Sequence, residues 1–238
     1  MAKPRYKRVL IKVSGEALMG GEAHGIDAAT LKRVAADLVA TKKMGVEVAV
    51  MVGGGNLVRG AQLAKTGIER AAADAMGLLA TVMNAIALED ALKKAGASVR
   101  TLSGVPMPSI CESYSRQRGR RSLKAGHIVV LAGGTGNPYF TTDTGAALRA
   151  AELKCEAIYK ATNVDGVYDA DPKKNPKAKR FDKLTHDEAL SRDLKVMDEA
   201  AFALARDARL PIIVFSIHGT GAIASAVKGR GTHTTVVP

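Results

Sequence analysis

The sequence predicts an α/β fold, a three-layer αβα sandwich with a mostly parallel central sheet, and two observations predict it. Short apolar runs rich in β-branched residues alternate with longer helical stretches along the 238 residues, which is the order that places a parallel sheet between helix layers. The chain is 47% hydrophobic but only 4% aromatic, with no Trp. Its core must therefore be filled by Ala, Val, Leu, Ile and Met, as it often is where helices pack on a sheet.

Six apolar runs are predicted to be the buried strands. In chain order they are Val9 to Val13, Val46 to Val52, Ser98 to Leu102, Ile128 to Leu131, Ala157 to Lys160 and Ile212 to Phe215. The predicted helices are Asp27 to Lys43, Glu69 to Lys94, a weaker one after Cys111, Thr142 to Leu153 and Asp198 to Ala208. Asp27, and either Thr141 or Thr142, are suited to cap their helices, because a side-chain oxygen can accept from free backbone amides.

We expect a single domain over residues 1–238, in which an N-terminal and a C-terminal lobe share one sheet and divide near residue 150. The length suits one large domain or two closely joined lobes. No tandem repeat or low-complexity linker interrupts the chain. The polar segment Asp171 to Arg180, with two prolines, is interpreted as a loop that extends from the domain and not as a domain boundary.

Composition limits the classes of partner. Lys and Arg number 35 against 23 Asp and Glu, a net charge of +12, which predicts attraction for polyanions without choosing between nucleotides and nucleic acid. Cys111 and Cys155 are far apart, which argues against a disulfide framework or zinc site and fits a cytoplasmic location. The apolar run before Lys12 is too short for a signal sequence, and no later run is expected to span a bilayer.

A glycine triplet, Gly53 to Gly55, follows the second predicted strand, and Arg59 comes four residues later. Glycines let backbone amides press against an oxyanion, and arginine can add a bidentate fork to phosphate. An ordinary glycine turn with a surface arginine is the alternative. The first strand ends in Lys12-Val13-Ser14-Gly15, where the lysine could contact a transferring phosphoryl group or simply reach solvent. Because ligands bind outside the carboxyl ends of parallel strands, the two turns together favour phosphate binding.

The turn from Gly133 to Thr144 leads from a strand into a helix whose free amides favour an anion. Thr135 and Asn137 carry the donors and acceptors needed to read a base edge, and Asp143 is placed to orient a lysine or a metal ion. A strand-to-helix turn that only caps its helix would have the same residues, and capping and ligand binding can coexist.

Two further segments carry candidate ligand contacts. In Lys160 to Pro172, Tyr168 could stack on a base and Asp171 could accept from an amine, a hydroxyl or a hydrated metal. A hairpin with solvated carboxylates is the simpler interpretation of that segment. Asp74 lies in an alanine-rich helical stretch, where it could hold ribose hydroxyls or point to water.

Taken together, these motifs resemble those of the bacterial uridylate (UMP) kinases of the amino acid kinase superfamily. The pieces that carry the resemblance are Lys12-Val13-Ser14-Gly15-Glu16-Ala17-Leu18, Gly53-Gly54-Gly55-Asn56, Thr81-Val82-Met83-Asn84, Gly134-Thr135-Gly136-Asn137-Pro138, Thr141-Thr142-Asp143, Asp165-Gly166-Val167-Tyr168 and Lys195-Val196-Met197-Asp198. The Walker pattern and the complete G-x-G-x-x-G fingerprint are both absent. The resemblance implies an amino acid kinase-like fold and reversible transfer of the ATP γ-phosphoryl group to UMP, giving UDP and ADP with Mg²⁺.

The resemblance also implies the residues of the site. The expected catalytic residues are Lys12, Arg59, Asp143 and Asp198, with Lys195 as a further cation. The expected ATP-binding residues are Lys12, Val13, Ser14, Gly15, Gly55, Arg59, Thr162, Tyr168 and Asp171. The expected UMP-binding residues are Gly54, Asp74, Thr135, Gly136, Asn137, Pro138, Tyr139, Phe140, Thr141 and Thr142. No residue is assigned to the metal ion directly.

The same resemblance implies a homohexamer built from dimers, a place in the synthesis of pyrimidine nucleotides up to CTP, and inhibition by UTP. Activation by GTP is left open, because Glu89 to Lys93 and Ser115 to Arg121 lack the residues associated with a GTP site. One alternative is another kinase of the superfamily with a different acceptor. The other is a basic nucleic-acid-binding regulator, motivated by Arg116 to Lys124 but opposed by the few aromatic residues available for stacking.

Overall fold

The structure, a computed structural model, describes residues 4–172, 174–194 and 196–238. Its strands are β1 (Arg8–Val13), β2 (Glu47–Val52), β3 (Val99–Ser103), β4 (Glu112–Ser113), β5 (Ile128–Ala132), β6 (Ala157–Thr162), β7 (Val167–Tyr168), β8 (Arg180–Phe181), β9 (Lys183–Thr185), β10 (Ile212–Ser216) and β11 (His233–Val237). Its helices are α1 (Ala28–Lys43), α2 (Gly60–Ala64), α3 (Arg70–Lys94), α4 (Arg116–Lys124), α5 (Thr142–Leu153), α6 (His186–Ser191), α7 (Glu199–Asp207) and α8 (Ala222–Val227). Lys195, predicted as a further cation, lies outside the described residues.

Nine strands form one sheet in the order β4-β3-β5-β2-β1-β6-β10-β11-β9. Its described pairings are parallel except for β10 with β11, which is antiparallel. The chain builds outwards from β1, with β2 on one side and β6 on the other. Such a switch point is where an open α/β sheet forms a ligand crevice. Strands β7 and β8 form a separate antiparallel pair.

Two hydrophobic cores lie on opposite faces of the sheet, because alternate side chains of a strand point to opposite sides. Val9, Ile11 and Val13 of β1 pack in one core with residues of α1, α3 and α8. Leu10 of the same strand packs in the other core with α5 and α7. The predicted three-layer α/β fold is confirmed.

The predicted elements agree closely with the structure. All six predicted strands are present, and Asp27 caps α1 by accepting from the Thr30 amide at 2.7 Å. Thr141, and not Thr142, caps α5, accepting from the amides of Asp143 and Thr144. The sequence did not predict the strands β4, β7, β8, β9 and β11, or the helices α2, α6 and α8.

Helix α3 is apolar on two of its faces. Leu88 and Leu92 are fully buried in the core, whereas Leu79, Met83 and Ile86 are 48%, 57% and 45% exposed. By length and composition alone this helix could cross a membrane, although the sequence led us to expect that no run spans a bilayer. Its packing against α1 and the sheet shows a core helix that also presents an apolar outer face.

Candidate active site

Two cavities open where the central strands end. The larger, of about 610 Å³, is lined by Lys160 and Thr162 of β6 and by the segment around the β7 strand. The smaller, of about 220 Å³, lies between the glycine triplet, α3 and the start of α5, and includes Asp74 and Thr142 in its lining. Lys160 lines the larger cavity, and Asp143 directly follows Thr142, which lines the smaller one, so these two residues mark the position where the cavities adjoin.

Two lysines and one aspartate occupy that position. Lys12 and Lys160 are register partners on the adjacent parallel strands β1 and β6, so their side chains project side by side on one face of the sheet. Asp143, in the first turn of α5, faces both ammonium groups, at 2.7 Å from Lys12 and 2.5 Å from Lys160. Lys160 also donates to the carbonyl of Val196. The aspartate thus orients two cations at the strand ends.

The electrostatics of this cluster keep it charged. Burial alone would raise the pKa of Asp143, but the charges of Lys12 and Lys160 outweigh burial and lower the pKa to about 2. Burial lowers the pKa of Lys160, and the charge of Asp143 opposes that decrease. With two cations and one anion, the cluster carries an excess positive charge where an anionic group would be stabilised.

The turns after β1 and β2 are in backbone contact. The Gly53 amide donates to the Val13 carbonyl at 2.9 Å. A Cβ atom on Gly53 would stand 2.7 Å from the Gly15 nitrogen, and one on Gly15 would stand 2.7 Å from the Gly55 nitrogen. These distances exclude any side chain, so the glycines are required by the close approach of the two turns. Gly54 is pressed in the same way against α3, where a Cβ would stand 2.8 Å from the Gly77 carbonyl oxygen.

Arg59 reaches back towards the glycine turn. Its guanidinium forms an ion pair with Glu16 at 2.6 Å, and both side chains are more than two-fifths exposed. Its Nε donates to the Gly55 carbonyl at 3.4 Å. A solvent-exposed pair of this kind is weak, so the guanidinium is able to exchange Glu16 for a phosphate group.

The loop before α5 passes beside the smaller cavity. Asp74 accepts from the Tyr139 amide at 2.9 Å and pairs with Arg70 at 2.7 Å. Tyr139 has a φ of 69°, a conformation that non-glycine residues rarely adopt. Asp74 therefore anchors a strained loop, a role that the sequence did not suggest for it.

Arg149 of α5 also holds this loop in place. It is buried and donates to the carbonyls of Gly134 and Thr135 at 3.3 and 3.4 Å. Its guanidinium carbon lies 3.9 Å from the centre of the Tyr114 ring, and Glu152 pairs with it at 2.8 Å. Sequence reasoning missed Arg149 because its loop partners, 15 and 14 residues earlier, come next to it only through the turn that leads into α5.

Asp198 lies at the start of α7 and caps it, accepting from the Ala201 amide at 2.9 Å. It also accepts from Thr144 at 2.7 Å and from Thr141. These contacts tie α7 to the first turn of α5, next to Asp143. Asp198 thus organises the site through its bonds to Thr141, Thr144 and the first turn of α7.

The structure divides the predicted binding residues between the cavities. Thr162, Tyr168 and Asp171 line the larger cavity, and Tyr168 donates to Asp165 at 2.6 Å. Gly54, Gly55, Asp74, Phe140, Thr141 and Thr142 line the smaller one. Lys12 and Val13 are the last residues of β1, and Ser14 and Gly15 begin the turn that follows; none of the four is part of either lining. Thr135, Gly136, Asn137, Pro138 and Tyr139 form the adjoining loop and are not part of either lining.

Among the described residues, no group of three His, Cys, Asp or Glu side chains could hold a metal ion. Both oxygens of Asp143 face lysines, and both oxygens of Asp198 accept from threonines or a backbone amide. This donor set does not suit a resident ion.

The missed residue with the clearest sequence signal is Lys160. It ends a predicted strand in the way that Lys12 does, so a pair of strand-end lysines was visible before the structure. The pairing of β1 with β6, which makes the two lysines neighbours, could not be predicted from the sequence.

Comparison with known sequences places this site in context. The sequence model of the Amino acid kinase family matches residues 7–216. The uridylate kinase of Azorhizobium caulinodans is 61% identical over 233 residues, covering 98% of each chain. The uridylate kinase of Bradyrhizobium sp. strain ORS 278 is 57% identical over 236 residues, covering 99% of each chain.

Solved structures agree with the sequence comparison. The crystal structure of UMP kinase from Ureaplasma parvum superposes with a TM-score of 0.93 at 34% identity, covering 98% of this chain and 100% of that one. The structure of UMP kinase from Bacillus anthracis gives a TM-score of 0.92 at 36% identity, covering 98% and 96%. The similarity therefore extends over nearly the whole length of the chain.

Proposed function

Because the chain belongs to the amino acid kinase family and its full-length relatives are uridylate kinases, we propose that the two cavities hold ATP and UMP and that the γ-phosphoryl group passes between them. The chain is a nucleoside monophosphate kinase acting on UMP. The observation that carries the site assignment is the Lys12, Asp143 and Lys160 cluster between the cavities.

The larger cavity is proposed to hold ATP. Its volume of about 610 Å³ is in the range of small-molecule sites, and Lys160 at its edge would face the phosphates. The smaller cavity is proposed to hold UMP, with Gly54 and Gly55 near its phosphate and Asp74 and Thr142 beyond. Arg59 would contact the phosphates between the two nucleosides.

The chemistry requires charge neutralisation more than proton transfer. A UMP phosphate oxygen forms the new bond to the γ-phosphorus, and the bond from that phosphorus to the β,γ-bridging oxygen breaks, releasing ADP. Phosphate monoesters have a second pKa of about 6, so the attacking oxygen is largely ionised at pH 7 and no general base is needed. Lys12, Lys160 and the amides of the glycine turns would stabilise the charge on the transferring group.

Mg²⁺ would enter with ATP and neutralise phosphate charge. The residues of this chain would hold the complex indirectly, with Asp143 keeping the two lysines in place around it. In-line transfer then depends on how accurately the chain holds the two nucleotides.

The defining experiment measures ADP release from MgATP with a panel of nucleoside monophosphates and amino-acid carboxylates as acceptors. We expect UMP to be preferred strongly over CMP, AMP and GMP. Equal use of all acceptors, or preference for a carboxylate, would overturn the UMP assignment.

Assembly and regulation are proposed from membership of the family, and one exposed surface also supports the assembly. We propose a homohexamer built from dimers, in which the exposed apolar residues of α3 are covered by a second copy. The protein would act in the cytoplasm in the synthesis of pyrimidine nucleotides, with UTP as inhibitor. Repeating the acceptor assay with UTP and with GTP tests both effectors, and lack of inhibition by UTP would contradict this proposal.

A further inference from the structure

A pair of buried side-chain amides lies behind the glycine turns. Asn56 follows the triplet, and Asn84 lies on the inner face of α3; they are 2% and 0% exposed. Asn84 Nδ2 donates to Asn56 Oδ1 at 2.6 Å, and Asn56 Nδ2 donates to Asn84 Oδ1 at 3.0 Å. Because each amide satisfies the other, the pair is held in one relative geometry.

The amide pair also bonds to backbone. Asn84 Nδ2 donates to the Gly53 carbonyl at 2.7 Å, and Asn56 Nδ2 donates to the Gly25 carbonyl at 2.8 Å. A Cβ on Gly15 would stand 2.7 Å from Asn56 Oδ1, so the pair touches the β1 turn as well. It therefore contacts both turns that are proposed to hold phosphates.

Core formation does not require amides at this position. Leu88 and Leu92 of α3 already supply apolar burial, and buried polar groups cost free energy unless they are bonded. An apolar pair could fill the same space without that cost. What an apolar pair could not do is bond to the Gly53 carbonyl and so fix the turn relative to α3.

We propose that Asn84 is a positioning residue for phosphoryl transfer, acting with Asn56 to hold the Gly53 to Gly55 turn at a fixed distance from Lys12. This inference rests on the function proposed above. The pair touches the turns and lines neither cavity, so it acts on the alignment of the phosphates and not on capture of the nucleosides. A displacement of about 1 Å can lower a rate about 100-fold.

The test is steady-state kinetics of Asn84→Ala, measured well below its unfolding temperature. We expect kcat to fall about 10- to 100-fold, while KM for ATP and for UMP each change less than about threefold. Asn56→Ala should give a similar loss. The double variant should lose little more than either single variant, because each substitution already breaks the same pair.

Asp37→Ala is the matched control. Asp37 is also buried and bonds to two backbone amides, but it lies on α1 away from both cavities. It should lose stability with kcat unchanged. A kcat for Asn84→Ala within twofold of wild type, or an equal loss in Asp37→Ala, would overturn the inference.

Two further outcomes distinguish a failure of the variants to fold from a failure of the proposed function. If Asn84→Ala does not unfold cooperatively, Asn84→Leu replaces it, since Leu is close to Asn in shape but has no group that donates to the Gly53 carbonyl. If neither variant folds, the pair is structural and the inference is overturned. A wild-type protein without UMP preference would instead refute the proposed function, and the kinetics of the variants would then be measured on the preferred acceptor.

Discussion

At the scale of single residues, the site depends on charges whose positions are set by strand register. Lys12 and Lys160 are neighbours because β1 pairs with β6 in one particular register, and both are less than a tenth exposed. Two like charges this close would repel unless an anion lay between them. Asp143 fills that position at the N-terminus of α5, where a negative charge is also favoured by the helix dipole.

Replacing Asp143 by Asn keeps its shape but removes the anion. We expect the free energy of unfolding to fall by about 3 to 5 kcal/mol, since two buried cations lose their partner, and kcat to fall below detection. Chemical denaturation at pH 7 and pH 9 checks this. Part of the loss should be recovered at pH 9. Burial keeps the folded-state pKa of Lys160 below its unfolded-state value, so the unfolded chain binds more protons and stability rises with pH. A loss that does not vary with pH would contradict this explanation.

His186 provides a second residue-scale prediction. Its Nε2 lies 2.9 Å from the Leu210 carbonyl oxygen, and burial lowers its pKa. Above the ordinary value of 6.5 both folded and unfolded states are neutral at this residue, so it has no effect. Below 6.5 the unfolded chain gains a proton that the folded chain resists, and stability falls as the pH decreases. Thermal unfolding of His186→Gln between pH 7.5 and 5.5 should show a smaller decrease than wild type; an equal decrease would exclude this role.

At the scale of elements, helices of the outer layers are fixed by contacts that cross the chain. Gly221 occupies the N-cap position before α8 and has no side chain to cap the helix. Asp37, from the middle of α1, supplies the missing cap by accepting from the amides of Ile223 and Ala224 at 2.7 and 3.0 Å. Arg33 of the same helix donates to the carbonyls of Ile217 and Gly219. Helix α1 thus determines where α8 starts.

Asp37→Ala should lower the free energy of unfolding by about 1 to 3 kcal/mol, because two buried amides lose their acceptor. Asp37→Asn keeps one side-chain oxygen and should lose less. Urea unfolding of the two variants checks the order. Equal stability of Asp37→Ala and wild type would show that water replaces the carboxylate.

These elements also show how much of the fold could be predicted from the sequence. The six central strands were predicted because a buried strand needs a continuous apolar run, which is a local property. Strands β4, β7 and β8 have only two residues each, so they exist only through their pairing. In the site, Lys12, Asp143 and the glycine triplet stood out by motif, whereas Asn84 and Arg149 act through bonds to residues distant in sequence.

At the scale of the whole molecule, the apolar outer face of α3 is the surface that most needs a partner. Met76, Leu79, Met83 and Ile86 recur at helical spacing and are all at least two-fifths exposed. Contiguous apolar surface on one helix face marks an interface. The same helix carries Asp74 and Thr81, which line the smaller cavity, so the proposed subunit interface and the proposed acceptor site share one element.

Met83→Glu should disrupt the proposed assembly, since a charge at the centre of an apolar interface is left unpaired. Light scattering should show a lower molar mass than for wild type. Lys94→Gln, which changes the charge equally at the end of α3, should keep the wild-type mass. A wild-type mass for Met83→Glu would exclude this face as the contact.

The contact between the turns after β1 and β2 bears on how such enzymes can diversify. Gly15 and Gly53 meet backbone to backbone, so the spacing between the turns is set where there is no side chain to mutate. We expect substitutions in the loop before α5, which belongs to the proposed UMP site, to change which base is accepted. We expect the separation of the proposed donor and acceptor phosphates to depend, by contrast, mainly on the main chain of these turns, so that a point mutation alters it only where it moves that main chain, as at Asn84.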